Sequence, residues 1–137
     1  MVEPPLDRFK RDYHPLQFSA TRTDGRLQHL INRDAMVHEE DFCTPRTFAA
    51  GFEFLDANRH ADNWLLHLEM FDPHEPFHAP QRFRDLFPSG YQGPVLDWPR
   101  YKRVEESPGE IAELRSNYAA LVAMCDHYFG QLLDYMD

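Results

Sequence analysis

Cysteine is nearly absent: Cys43 and Cys125 are the only two in 137 residues, too few for a disulfide framework. No apolar run approaches the roughly 20 residues that span a bilayer. The N-terminal stretch lacks the apolar core of a secretory signal, so a cytoplasmic location is the default expectation. Basic residues are outnumbered, with 14 Lys and Arg against 23 Asp and Glu, for a formal charge of −9 and a pI near 5.3. That balance argues against a nucleic-acid or anionic-membrane surface, which needs clustered cations. No repeat, low-complexity stretch, Walker motif or dinucleotide fingerprint occurs, and Gly90 and Gly93 lack the strand–loop–helix context of a phosphate cradle. What remains is 42% hydrophobic and 14% aromatic. This is the composition of a chain that folds, with length for one domain and a modest core.

Residues 1–41 mix charges with prolines at 4, 5 and 15. They predict a peripheral segment of loops and one helix over 25–36, with Leu27, Leu30 and Ile31 on one face. A clearer helix follows over 45–58. Thr44 suits the N-cap, Pro45 the first helical position, and Phe48, Ala49, Phe52 and Leu55 recur at helical spacing. Residues 58–62 turn the chain into an apolar run over 63–71, the pattern of a strand covered on both faces. Helix, turn and buried strand are half of a βαβ unit, so α/β is the expected class. The strand predicts a stop at the proline-rich loop 72–80, because prolines 73, 76 and 80 lack backbone donors and push their predecessors towards extended geometry.

A short helix over 80–87, anchored by Phe83, Leu86 and Phe87, comes next. The irregular connection of about twenty residues that follows is long enough to be a functional rim or an exposed excursion. Ser107-Pro108-Gly109-Glu110 is a capping box with proline at the first helical position. It opens a helix over 108–136 about 40 Å long. Its expected apolar stripe runs through Ile111, Leu114, Tyr118, Leu121, Val122, Cys125, Phe129, Leu132, Leu133 and Met136. One strand and its flanking helices cannot cover such a stripe. An internal piece of a larger domain is therefore expected, with self-association through the exposed stripe as a consequence.

A strand followed by F-D-P-H-x-P-F and then by APQRFRDLF resembles the sulfatases of the alkaline phosphatase superfamily. Upstream, PRTFAAGFEFLDANRHADNW is similar to their helix and turn into this strand. Downstream, NYAALVAMCDHYFGQLLDYMD is similar to their long helix, so the likeness covers roughly residues 40–137. The resemblance implies a partial sulfatase-like domain over 42–137, part of an alkaline-phosphatase-like sandwich of helices around a mixed sheet. It also implies hydrolysis of a sulfate ester by a formylglycine nucleophile, with a divalent cation, usually calcium, held by carboxylates and an amide. The nucleophile and the metal ligands would lie outside this chain, which alone is expected to be inactive. A phosphodiesterase or phosphonate monoester hydrolase of the same superfamily is the alternative within the enzymes. A non-catalytic module binding an anion or a partner is the alternative outside them.

Within the chain the resemblance points to His74 as the substrate contact, its imidazole stabilising oxyanion charge as the S–O bond breaks. Asp72, Pro73 and Pro76 read as residues that shape the loop, Asp72 by folding onto backbone amides. Residues 74–78 also spell H-E-x-x-H, but zinc needs both histidines on one helical face, and Pro76 opposes that helix. A looser set of Asp72, His74 and His78 is the metal alternative. Cys43-Thr44-Pro45-Arg46-Thr47 approximates the formylglycine motif C-x-P-x-R, with the arginine one place early and the motif too close to the loop. Cys43 is therefore expected to precede a helix and not to react. Cys125, Asp126 and His127 are adjacent and fan onto different helical faces, leaving Cys125 for the core.

Overall fold

The structure, a computed structural model, describes residues 5–17 and 23–137. Residues 1–4 and 18–22 of the expected N-terminal segment lie outside them. Five helices follow in order: α1 (Pro5–Asp12), α2 (Thr23–Arg33), α3 (Cys43–Asn58), α4 (Gln81–Arg84) and α5 (Pro108–Met136). Single 3-10 turns occur at Pro15–Gln17 and Glu39–Asp41.

The expected α/β class is incorrect. Among the described residues there is no sheet, and the one β contact is an isolated parallel bridge between Tyr13 and Val95. The strand expected over 63–71 is not formed: residues 64–71 have no regular secondary structure, although their exposure alternates from 65 to 71, and no second strand lies beside them. They are also not covered on both faces. Leu66, Leu68 and Met70 turn inward, whereas Leu65 is 90% exposed and Phe71 67% exposed. The inner face lies on α3, where Leu68 sits so close to Gly51 that a Cβ there would stand 2.9 Å from its Cδ2. Asn63 starts the segment in the left-handed region (φ 62°), a conformation that asparagine tolerates better than most residues.

Helix α5 organises the packing. Ser107 Oγ accepts from the Glu110 N–H (3.4 Å) and the Glu110 carboxylate accepts from the Ser107 N–H (2.6 Å), closing the capping box. The buried face is Asn117, Ala120, Leu121 and Met124, a spacing of three, one and three residues that fits one side of a helix. Against it pack Ala79 and Phe83 from the loop and α4, flanked by Phe77, Ala123 and Tyr128. The stripe expected from the sequence is thus only partly used. Leu121 is fully buried, while Val122, Phe129, Leu133 and Met136 are exposed.

Helix α3 lies on the same side of α5, with Phe48 stacked on Tyr128 at 5.9 Å. It begins one residue before Thr44: Phe42 is the N-cap and supplies no side-chain cap. Phe9, Tyr13 and Leu30 form a second small cluster, with Leu27 beside it. The irregular connection joins the two clusters. It is exposed at residues 92–95 but buried at Leu96 and Asp97. Gln17 reaches into it, donating to Val95 O (2.7 Å) and accepting from the Trp98 N–H (2.8 Å). Asn117 on α5 donates to Leu96 O (3.0 Å). An irregular segment can be buried only when its backbone polar groups are met in this way.

Candidate functional site

The loop 72–80 is held at three points. At its start, Thr44 Oγ1 donates to Asp72 Oδ2 at 2.6 Å. At its middle, the Phe77 N–H donates to Asp97 O at 2.7 Å. At its end, Ala79 is buried in the α5 core. Both Asp72–Pro73 and Glu75–Pro76 are cis. The Asp72 carboxyl is pushed above its usual range by burial, and the Thr44 hydroxyl partly offsets this. Asp72 therefore shapes the loop through a side chain on α3 instead of through backbone amides. Thr44, expected as a helix cap, is that partner.

Replacing Thr44 with valine keeps the shape and leaves the Asp72 carboxyl without its donor. A loss of about 1–3 kcal/mol is expected, the cost of an unsatisfied buried polar group. Urea denaturation measures it; an unchanged midpoint would mean that the bond contributes nothing.

His74 stands on the outer turn of this loop. Its N–H bonds to Phe71 O (3.1 Å), and its ring lies on that of Phe71 with centroids 4.2 Å apart. The side chain is 48% exposed. Nδ1 lies 2.8 Å from Glu75 O and 3.1 Å from Glu75 Oε2. Both neighbours are acceptors, so Nδ1 carries the proton. Nε2 has no partner among the described residues. In the neutral ring Nε2 is an acceptor, and it donates only when both ring nitrogens carry protons. Glu75 is itself buried and accepts from the Tyr101 hydroxyl. Glu75 and Tyr101 thus fix the histidine, a role that the sequence reading did not assign to either.

The other sequence candidates do not converge on His74. His78 turns inward, its ring 5.1 Å from Phe42 and 6.4 Å from His29. Burial, reinforced by Arg33, pushes its pKa down to about 3, so it is neutral at ordinary pH. His78 instead lines an open cleft of about 490 Å³ beside Arg82 and Arg84; His74 does not border it. The H-E-x-x-H spacing therefore forms no helical pair.

Among the described residues no three His, Cys, Asp or Glu side chains gather closely enough to hold a metal ion. The side chains present do not fit the carboxylate and amide set that the resemblance implies for a divalent cation. Cys43 is exposed in the first turn of α3. Cys125 is partly buried, and burial with the nearby Asp72 carboxylate pushes its thiol up to about 11. It remains a thiol, unsuited to attack. No helix among the described residues is long and apolar enough to cross a membrane. Comparison with family models, curated proteins and solved structures finds no match for this chain.

Proposed function

We propose that the chain is part of a sulfatase-like hydrolase, to which it contributes His74 as a contact to the sulfate ester. The observation that carries the reading is the F-D-P-H-E-P-F loop. It holds His74 with Nδ1 occupied by Glu75 and Nε2 free for a ligand. With a proton on Nε2 as well, a ring held in this way can meet charge that builds on ester or sulfate oxygen, and needs little reorganisation to do so. In this reading the nucleophile, a formylglycine, and a divalent cation such as calcium belong to residues outside the chain. Asp72, Pro73 and Pro76 set the loop, while Thr44 and Glu75 position it.

The chain by itself is accordingly expected to hydrolyse no aryl sulfate. A chromogenic sulfate assay on the purified protein tests this. Turnover that persists through purification and disappears in His74→Ala would place the reaction inside the chain and overturn this assignment. Parallel assays with a phosphate diester and a phosphonate monoester test the related hydrolases.

The exposed apolar side chains of α5, Val122, Phe129, Leu133 and Met136, support a second reading. This is a non-catalytic module that lays that face against another helix, of a partner or of a second copy. Turnover by a longer protein containing this chain separates the two.

A further inference from the structure

We propose that residues 64–71 pair antiparallel with the same segment of a second copy, centred on Leu68. The backbone of the segment is unpaired. Among the described residues no backbone hydrogen bond is made by residues 62–70. A run of extended backbone whose donors and acceptors lack protein partners is a template for strand addition. Asn63, at positive φ, and Pro73, which has no N–H, bound the run, so its length is that of an ordinary strand. An isolated two-stranded ribbon is marginal in water. Here each segment already rests on α3 through Leu68, with Leu66 and Met70 half-buried on the same face.

The side-chain order selects a copy of the same chain as that partner. With Leu68 opposite Leu68, Leu66 faces Met70 of the second copy on the inner side. On the outer side His67 faces Glu69 of the second copy, and Leu65 faces Phe71 of the second copy. Both relations then repeat in reverse, as a two-fold interface requires. Over 65–71 every cross-strand pair is apolar with apolar, or base with carboxylate, the combinations that stabilise neighbouring strands, and Trp64 falls opposite Asp72 at the end of the run. Parallel in-register pairing would oppose Glu69 to Glu69 and is disfavoured on the same ground. The contact would cover Leu65 and Phe71, among the most exposed large apolar side chains described. His74 lies outside the paired residues, although its ring rests on that of Phe71; turnover of an aryl sulfate tests the hydrolase reading independently.

Sedimentation equilibrium tests the pairing, together with amide exchange over a range of concentrations. A dimer is expected, with amides in 64–71 gaining protection as concentration rises. His67→Glu sets Glu against Glu at both symmetric positions and is expected to weaken the dimer roughly tenfold. His67→Glu/Glu69→Lys restores opposite charges and is expected to recover it. Both side chains are exposed, so the monomer fold is unaffected. A monomer at all concentrations would overturn the proposal. So would a dimer indifferent to these changes and unprotected over 64–71, which would point to the α5 face.

Discussion

Replacing Asp97 with alanine is expected to lower folding stability by about 3–5 kcal/mol, the cost of breaking a buried ion pair from one side. Asp97 accepts a hydrogen bond from Arg33 Nη2, and the two side chains are only 5% and 11% exposed. Burial holds the Asp97 carboxyl above its usual range even with the guanidinium beside it. Without Asp97, Arg33 keeps its bonds to Tyr13 Oη (2.8 Å) and His29 Nε2 (2.9 Å). Neither supplies a compensating charge: burial and the Arg33 charge push His29 down to about 4, leaving it neutral. Those remaining bonds place the expected loss towards the lower end of the range.

A domain has only about 5–15 kcal/mol to lose, so the variant should unfold at a markedly lower urea concentration. Arg33→Met/Asp97→Leu removes both charges and should recover most of the loss. A double variant as unstable as Asp97→Ala would show that packing, and not the unpaired charge, sets the cost. The same change bears on the site, since the Asp97 main chain anchors Phe77 in the loop that carries His74.

Helices α2 to α5 were legible because their signals are local; α1, in a stretch expected to be loop, was not. The Ser107–Glu110 capping box and the proline after the cap need only four adjacent residues to be read, and α5 starts where they indicate. Leu27 and Leu30 likewise mark one face of α2, but Ile31, expected with them, is exposed, and the helix spans Thr23–Arg33 and not 25–36. The sheet was misread because apolar content reports burial and not pairing. Residues 64–71 are rich enough in leucine to suggest a strand enclosed on both sides, but pairing depends on a second strand that local sequence cannot reveal. Half-burial of Leu66, Leu68 and Met70, with Leu68 against Gly51 of α3 and with Leu65 and Phe71 left in solvent, is the alternation of a segment with one covered face.

The position of His74 on a stiff polar loop could be read from its prolines. What holds its ring could not. Glu75 and Tyr101 are 26 positions apart, and Thr44 and Asp72 are 28 apart. Thr44 illustrates the difficulty. A threonine before proline at a helix start reads as a cap, yet its hydroxyl bonds across to the loop while Phe42 caps the helix without a side-chain bond. Asp97, central to both stability and loop anchoring, lies in a stretch whose prolines and glycines suggested a functional rim or an exposed excursion.

His74→Ala in a catalytically complete protein is the second change with a large expected effect. A donor aimed at developing oxygen charge is worth about 10²–10³ in kcat. Losing it should lower kcat far more than it alters KM, because the charge it meets is greatest in the transition state. The most direct test is therefore aryl-sulfate hydrolysis by the protein encoded by the whole reading frame that contains this chain, with His74 and with His74→Ala. Sulfate release by the native protein is expected, with a C-x-P-x-R motif upstream in the frame and a kcat roughly a hundredfold or more lower in the variant. Sulfate turnover unchanged by His74→Ala, or a frame without a nucleophile motif, would contradict the hydrolase reading.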